Sequence, residues 1–309
     1  MDRWVGLFGR WVTVSMQIKP DRLIVGCGYL GFEVARRWRK MQVPVLALTR
    51  SPERAETLAA SGLQPILGDL TDCDSLPHFE GIDTLLVAVG LDRKTGHSQR
   101  KVYIEGLRNL IECFDCPPRK VIYISSTSVY GQASGEWVDE GSPTRPLAEN
   151  GRVCLEAEQL LCECWPHASI IRSAGIYGPG RLVARADSLR AGVPLAGSPD
   201  AWLNMIHIED LALAADLCSQ RQLPGGLFLV VDDRPLRRVE FYERVARWVG
   251  APSVRFEPPS EGDPAAALLN KRCRNSLAKR ELGWQLRFPS VVEGLASLFC
   301  GGGGGENSA

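Results

Sequence analysis

A short apolar run that breaks into closely spaced glycines constrains this fold more than any other feature. Residues 23–25 read Leu-Ile-Val, a plausible buried strand, and lead directly into Gly26-x-Gly28-x-x-Gly31. In this pattern Gly26 permits a tight turn, Gly28 lets a pyrophosphate approach the backbone, and Gly31 lets the next helix pack closely. Free N–H groups at the start of that helix face the anion, so the stretch predicts a dinucleotide site.

A helix is predicted after the glycine turn. Leu30, Val34, Trp38 and Met41 recur at i, i+4, i+8 and i+11 and form one apolar stripe. Three glycines at this spacing are a weak signal alone, because a chain with 31 glycines produces such a pattern by chance. The strand before and the helix after them favour the dinucleotide site, which includes Tyr29 and Leu30, over a plain glycine turn.

The end of the second predicted strand, residues 43–48, bears on the choice of cofactor. It is followed by Thr49-Arg50-Ser51 where a preference for NAD would place an acidic residue beside the ribose. The Arg50 guanidinium suits a 2′-phosphate, and the hydroxyl of Ser51 adds hydrogen bonds. We therefore expect NADP to be preferred over NAD. A solvated Arg50 at a strand end is the alternative, and Glu53 keeps an NAD site open.

Two further strand ends are predicted to meet the ligand. Residues 64–67 form a third strand that ends before Asp69 and Leu70, where the Asp69 carboxylate either meets the adenine amino group or caps the next helix. Residues 85–90 are fully apolar, as in a parallel sheet covered on both faces, and bring Val89 and Gly90 against the cofactor. The order of these elements predicts an α/β fold with a doubly wound parallel Rossmann sheet.

The composition excludes several classes of function. The chain has 309 residues, 45% of them hydrophobic, and a formal net charge of zero at pH 7. These values suit a full buried core and give no basic field for nucleic acid, and no segment indicates a membrane. We expect a small-molecule substrate. Ten cysteines without a secretory signal indicate reduced thiols in a cytoplasmic protein, and their spacing predicts no metal site.

Three regions are expected along the chain. Residues 1–20 are predicted to be an extension outside the fold, and residues 298–309 a disordered glycine-rich tail. Residues 21–297 form the nucleotide-binding unit, in which no linker separates independent domains. The sequence predicts no particular oligomeric state.

Several motifs in one order give the chain a resemblance to a known family. It resembles an extended short-chain dehydrogenase/reductase of the NAD-dependent epimerase/dehydratase group over roughly residues 21–297. The resemblance implies a small discontinuous C-terminal substrate lobe, formed mainly from about 175–205 and 232–290. The motifs are Gly26 to Gly31, Gly68 to Leu70, Ser125 to Gly131, Arg172 to Gly180, Asn204 to Asp210, and Lys271 to Ser276 before Leu282-Gly-Trp284.

The chain departs from this family at the residues that carry the chemistry. The resemblance implies a catalytic Tyr-x-x-x-Lys, and Asn150-Gly-Arg-Val-Cys154 stands in its place. Ser126 matches the family's substrate-orienting hydroxyl. A proton relay through Arg152 with Tyr130 or Tyr177 is one way to replace the missing pair, with Arg152 in place of the lysine charge.

The remaining site residues follow from the resemblance alone. Arg172 matches the stretch that borders the nicotinamide. Asn204, Arg272 and Asn275 match positions that face the substrate, although the last two are equally a basic helix start. Two functions stay open: an NADP-dependent oxidoreductase or epimerase acting on a small polar or sugar-like substrate, and a catalytically silent NADP-binding sensor or interaction protein.

Overall fold

The computed structural model of the protein describes residues 4–7, 10–13, 21–220, 224–258 and 269–300. Trp4–Leu7 and Arg10–Thr13 pair with each other as antiparallel strands. The rest of the predicted extension, and residues 301–309 of the predicted tail, lie outside the described residues. The start of the tail at residue 298 was predicted wrongly, because residues 298–300 end a helix and Leu298 packs against an apolar cluster. Within the described ranges, no helix has the length and apolar character needed to cross a bilayer.

A seven-stranded parallel sheet forms the centre of the fold, and its strands lie in the order β3-β2-β1-β4-β5-β6-β7. Sheet order reverses at β1, because β2 and β3 lie on one side of it and β4 to β7 on the other. This confirms the doubly wound sheet predicted from the sequence. The strands are β1 (Arg22–Val25), β2 (Val45–Thr49), β3 (Gln64–Leu67), β4 (Thr84–Val87), β5 (Lys120–Ser126), β6 (Ser169–Ser173) and β7 (Gly226–Val230).

Helices cover both faces of the sheet. Val34 and Trp38 of the first helix pack with Leu211 of the sixth against one face, in a core that also contains Ile24. Leu23 points to the opposite face, where it packs with Leu107 and Leu161 of the third and fourth helices. The helices are α1 (Tyr29–Lys40), α2 (Pro52–Ala60), α3 (Gly106–Glu112), α4 (Glu149–Cys164), α5 (Val183–Arg190), α6 (Ile208–Gln220), α7 (Arg238–Val249), α8 (Ser276–Leu282) and α9 (Val291–Cys300).

A smaller body of short strands and helices lies beyond β6 and has its own apolar cluster, which includes Leu195, Phe241 and Leu295. Its strands pair in twos. Gly175–Tyr177 runs parallel to Met205–His207, Leu195–Ala196 parallel to Phe256–Glu257, and Trp202–Leu203 antiparallel to Leu236–Arg237. A further pair, Glu136–Val138 parallel to Lys271–Cys273, includes a segment before β6 and packs through Val138 and Cys273 into the core with Ile24.

Candidate cofactor-binding site

A cavity of about 680 Å³ lies at the carboxyl ends of β1, β2, β3 and β4, where the strand order reverses. Doubly wound sheets bind their ligands at this place, because the loops after β1 and β4 leave toward opposite faces and open a crevice. Most of the predicted cofactor residues line the cavity: Gly26, Gly28, Tyr29, Leu30, Arg50, Asp69, Leu70, Val89 and Gly90.

Each of the three glycines meets a different requirement of the turn. Gly26 has a φ of +89°, and a Cβ there would lie 2.6 Å from the backbone of Ala88. A Cβ at Gly31 would lie 2.4 Å from the carbonyl oxygen of Gly26, so this glycine sets the distance between helix and turn. At Gly28 no atom lies within 4 Å of the Cβ position. A side chain at Gly28 would fill the space through which a ligand would approach the protein backbone.

The start of α1 is open to an anion. Gly28 is the N-cap residue and offers no side chain to the free N–H groups, and the first turn holds no acidic residue. Unsatisfied donors and the positive end of the helix dipole therefore face the cavity at Gly28. Together with the empty space at Gly28, this arrangement fits the pyrophosphate of a dinucleotide.

Two arginines lie at the end of the cavity next to β2. The Arg50 guanidinium lies 2.5 Å from a carboxylate oxygen of Asp92, in a half-exposed ion pair. Arg54 donates to the carbonyl oxygen of Cys27 at 3.0 Å, and its guanidinium lies over the ring of Phe32. Arg54 thus holds the glycine turn against α2 while it also lines the cavity.

Ser51 and Glu53 interact with each other rather than with the cavity. The Ser51 hydroxyl accepts a hydrogen bond from the backbone N–H of Arg54 at 3.2 Å and caps α2. The same hydroxyl donates to the Glu53 carboxylate at 2.6 Å, and this bond lowers the pKa of Glu53. Neither residue is among those that line the cavity.

Asp69 lines the cavity as an ionised, pre-positioned acceptor. One carboxylate oxygen accepts from both the backbone N–H and the hydroxyl of Thr71, each at 2.8 Å. Partial burial alone would raise the pKa of Asp69, but the Thr71 hydrogen bonds and the nearby Arg50 charge outweigh it and lower the pKa. The side chain stabilises its own turn through Thr71 and lines the cavity, but it caps no helix, because Asp72 is the N-cap residue of the helical turn that follows. The contact with the adenine amino group stays a prediction.

The predicted fourth strand is shorter than its sequence suggests. β4 ends at Val87, whereas the apolar run continues to Gly90. Ala88 still donates to the carbonyl oxygen of Val25, but β1 turns away at Gly26, so the chain beyond has no ladder partner there. Val89 and Gly90 therefore line the cavity as the sequence analysis expected, from a loop instead of a strand.

At the other end of the cavity lie Tyr103, Ile124, Ile176 and Arg181. The backbone N–H of Leu91 donates to the Tyr103 hydroxyl at 2.9 Å. Arg181 reaches the cavity from the segment that follows Gly175–Tyr177, and its guanidinium lies 5.5 Å from the centre of the Tyr29 ring. The smaller body of the protein thus contributes a cation to the site.

Among the described residues, no hydrogen bond joins Arg152 to Tyr130 or Tyr177, the residues of the predicted proton relay. Tyr130 and Tyr177 are fully buried, and neither lines the cavity. Burial raises the pKa of Tyr130 to about 12 and also raises the pKa of Tyr177. Arg152 is exposed on α4 and pairs with Glu149 at 3.0 Å. The Ser126 hydroxyl, at the end of β5, accepts from the backbone N–H of Ser128 at 3.1 Å.

Arg172 belongs to a buried polar cluster behind the site. Its guanidinium donates to both carboxylate oxygens of Glu158, the shortest contact being 2.6 Å, and to the Tyr130 hydroxyl at 2.7 Å. The Ser125 hydroxyl donates to the same carboxylate at 2.5 Å. The guanidinium is engaged by these contacts, and Arg172 is not among the cavity-lining residues.

The predicted substrate residues engage the backbone. Asn204 accepts from the backbone N–H of Cys273 and donates to the carbonyl oxygen of Lys271, at 2.8 and 2.9 Å. Arg272 donates to the carbonyl oxygen of Gly135 at 2.8 Å. Its guanidinium lies 4.8 and 5.1 Å from the ring centres of Trp137 and Trp202.

Asn275 also makes hydrogen bonds within the protein. Its side-chain amide donates to the carbonyl oxygen of Val231 and to the carboxylate of Asp233, both at 2.8 Å. None of Asn204, Arg272 and Asn275 lines the cavity. Their role as substrate contacts stays a prediction, while their described contacts join the segment 271–276 to the rest of the fold.

Asn150 and Cys154 occupy the first two turns of α4. Asn150 is exposed, and the neighbouring Gly151 approaches Ser128, where a Cβ would lie 2.4 Å from the carbonyl oxygen. Cys154 is half-buried, and this burial raises the pKa of its thiol. The thiol is therefore neutral at physiological pH and carries no charge toward the site.

Sequence reasoning missed Arg54, Tyr103 and Arg181. Arg54 stands in the first turn of α2, four residues after Arg50. This short spacing could have indicated a second cavity-lining arginine at the end of β2. Tyr103 stands beside none of the motifs used to predict the site. Arg181 directly follows the motif Arg172 to Gly180, whose family counterpart borders the nicotinamide, so its place in the chain was a usable signal.

Known proteins are similar to this chain over most of its length. Residues 23–230 match the NAD dependent epimerase/dehydratase family. Protein YeeZ of Escherichia coli K12 is 29% identical over 279 residues, which cover 87% of this chain and 96% of YeeZ. A 4-hydroxy-2-methyl-3-oxo-4-farnesyl-3,4-dihydroquinoline-1-oxide ketoreductase of Stigmatella aurantiaca is 31% identical over 285 residues, covering 87% of this chain and 85% of the ketoreductase.

Among solved structures, DesIV, a dTDP-glucose 4,6-dehydratase from Streptomyces venezuelae with NAD and TYD bound, matches with a TM-score of 0.75. The identity is 20%, and the match covers 90% of this chain and 96% of DesIV. At an identity of 20%, the similarity shows a shared fold and nothing about activity.

Proposed function

Because this chain belongs to the NAD dependent epimerase/dehydratase family, we propose that it is an NADP-dependent oxidoreductase or epimerase acting on a small polar or sugar-like substrate. The observation that carries the proposal is the cavity at the strand-order reversal, with Gly28 open toward it and the bare start of α1 beside it. The similarity to a ketoreductase favours a carbonyl group as the reacting part of the substrate.

The preference for NADP rests on the two arginines at the end of β2. Arg50 and Arg54 both line the cavity there, while the nearest candidate for a ribose-binding carboxylate, Glu53, is bonded to Ser51. A 2′-phosphate would compete with Asp92 for the Arg50 guanidinium and form charge-assisted hydrogen bonds with both arginines. A ribose without this phosphate would leave the Arg50–Asp92 pair as it is.

The residues of the chain would bind and orient the reactants. A bound nicotinamide would supply or accept a hydride. The free N–H groups of α1 would hold the pyrophosphate, and Arg181 would add a positive charge from the smaller body of the protein. Ser126 would orient the substrate oxygen through its hydroxyl.

A second candidate is a catalytically silent NADP-binding sensor or interaction protein. It is supported by Asn150 and Cys154, since an amide has no titratable proton and a neutral thiol carries no fixed positive charge. The burial of Tyr130 and Tyr177 away from the cavity supports it further.

Turnover distinguishes the two candidates. The purified full chain is mixed with NADPH or NADH and a panel of ketones, aldehydes and nucleotide sugars, and oxidation is followed by nicotinamide absorbance. The enzyme proposal expects oxidation of NADPH with at least one compound. Binding of NADPH without oxidation on the whole panel favours the sensor, and absence of binding contradicts both.

A further inference from the structure

Tyr103 combines three features that point to a ligand contact. It lines the cavity, and it lies at the middle of a π-helical turn, Lys101–Glu105, which runs directly into α3. Such turns are rare in proteins and occur often at functional sites. The Tyr103 hydroxyl accepts a hydrogen bond from the Leu91 backbone, and its own proton has no acceptor among the described residues.

The position of Tyr103 along the cavity indicates which part of a dinucleotide it would meet. The end next to β2 carries Arg50, where the adenosine ribose of a dinucleotide lies in this kind of sheet. The glycine turn after β1 receives the pyrophosphate. Tyr103 lies together with Ile124 of β5, on the other side of β1, so the nicotinamide half of the ligand would reach it.

The surroundings of Tyr103 are uncharged. The thiol of Cys154 and the ring of Tyr123 lie near the phenol, and both are neutral because burial raises the pKa of each. Burial likewise raises the pKa of Tyr103, so its hydroxyl keeps the proton at physiological pH. A neutral donor fixed by the Leu91 N–H suits a hydroxyl acceptor on a ligand better than it suits an anion.

We propose that Tyr103 is a positioning residue whose hydroxyl donates a hydrogen bond to the nicotinamide ribose of the bound dinucleotide. The inference rests on the proposed function, because it requires that the cavity binds such a cofactor. It assigns to the π-helical turn the task of holding the nicotinamide half in place, while Arg50 and the start of α1 hold the adenosine half and the pyrophosphate.

The test compares a whole cofactor with a fragment that lacks the nicotinamide ribose. The full chain, as wild type and as Tyr103→Phe, is titrated with NADPH and with 2′,5′-ADP. We expect the Kd for NADPH to rise about 5- to 10-fold, the effect of one lost hydrogen bond, and the Kd for 2′,5′-ADP to change less than about 2-fold. Tyr123→Phe is the matched control, since Tyr123 is close by but does not line the large cavity, and it should change neither value.

Equal weakening of both ligands in Tyr103→Phe would mean a structural role, and no change in either would mean no contact; both results overturn the inference. If wild-type protein binds neither ligand, the proposed function fails and the inference with it. A second measurement needs no variant. Tyrosine nitration of the wild-type protein is mapped by peptide mass, and nitration of Tyr103 should be slowed by NADPH and not by 2′,5′-ADP. Equal protection by the two ligands would contradict the assignment.

Discussion

At the scale of single residues, the proposed preference for NADP depends on Arg50. It is half-exposed and paired with Asp92, so a phosphate must compete for a guanidinium that already has a partner. We predict that Arg50→Ala weakens NADPH binding by about 1 to 3 kcal/mol, the size of a lost charge-assisted contact, and leaves NADH binding unchanged. Fluorescence titration of the nicotinamide measures both affinities.

Arg36→Ala is the control for this prediction, because Arg36 is an exposed arginine on α1 that pairs with Glu33 and does not line the cavity. It should leave both affinities as in the wild type. If Arg50→Ala weakens NADPH and NADH equally, Arg50 contributes to binding without selecting the 2′-phosphate.

Ser126 is the residue assigned to the substrate oxygen. We predict that Ser126→Ala abolishes any turnover found for the wild type while NADPH affinity stays nearly the same, because the hydroxyl would act on the substrate only. Steady-state kinetics and the same titration measure the two quantities. The Ser128 N–H loses its acceptor in this variant, so a thermal melt must accompany the assay. An unchanged rate would remove Ser126 from the mechanism.

At the scale of elements, the turn between β1 and α1 contains two glycines with different roles, Gly28 in ligand binding and Gly31 in the stability of the fold. We predict that Gly28→Ala weakens NADPH at least 10-fold, since its Cβ would stand in the ligand space, with a stability change within about 1 kcal/mol. Gly31→Ala should instead destabilise the fold by about 1 to 3 kcal/mol, because its Cβ would clash with the Gly26 carbonyl oxygen. Urea unfolding and NADPH titration of both variants test the contrast, which fails if their effects are alike.

Three elements meet at the buried pair of Arg172 and Glu158: β5 through Ser125, α4 through Glu158, and β6 through Arg172. Both side chains are nearly inaccessible, with 6% and 5% exposure. We predict that Arg172→Met lowers the free energy of unfolding by about 3 to 5 kcal/mol, since it leaves a buried carboxylate without its partner. The double variant with Glu158→Leu should recover part of this loss in urea unfolding. A loss of NADPH affinity without a loss of stability would restore the predicted cofactor role.

The sequence predicted the parallel sheet and most of the cofactor cavity because those features depend on local patterns. The run 23–25 and the three glycines are contiguous, and each requirement of the turn is visible within six residues. The surroundings of Tyr103 and Arg172 were not predictable in this way. They depend on which strands become neighbours in the sheet, and β5 and β6 are separated by the whole of α4 in the chain.

The dependence on contacts between distant parts of the chain also explains why Tyr130 and Tyr177 were predicted as proton-transfer residues. Both stand near motif residues in the sequence, which made them candidates for proton transfer. The direction of each side chain is fixed by packing across the fold, Tyr130 toward Arg172 and Tyr177 toward Ser290 and Gly294. Tyr103 had no motif beside it and lies in the cavity.

At the scale of the whole molecule, His207 joins the strand pair beyond β6 to the C-terminal segment. It is 1% exposed, packs on Tyr177 and Phe288, and accepts from the Glu209 N–H through Nδ1 at 3.3 Å. Burial lowers the pKa of His207 from the ordinary value of 6.5 to about 4. The folded protein therefore favours the neutral ring.

This shift has a consequence for stability against pH. The stabilisation by neutral His207 is complete above its unfolded pKa of 6.5 and is lost as pH falls toward the folded pKa of about 4. We predict that the wild type loses about 2 kcal/mol more than His207→Asn between pH 7 and pH 5, since the asparagine oxygen keeps an acceptor for the Glu209 N–H but does not titrate. Urea unfolding at the two pH values measures this difference, and parallel pH profiles would contradict the account.

The central claim for the molecule is that its cavity binds NADP(H), and equilibrium titration of the wild-type full chain with NADPH and with NADH, followed by nicotinamide fluorescence, tests it most directly. We predict saturable binding of both cofactors with NADPH at least 10-fold tighter, because only NADPH brings a 2′-phosphate to Arg50 and Arg54. Tighter binding of NADH would contradict the assignment of the two arginines. No binding of either cofactor would contradict the function proposed for the glycine turn.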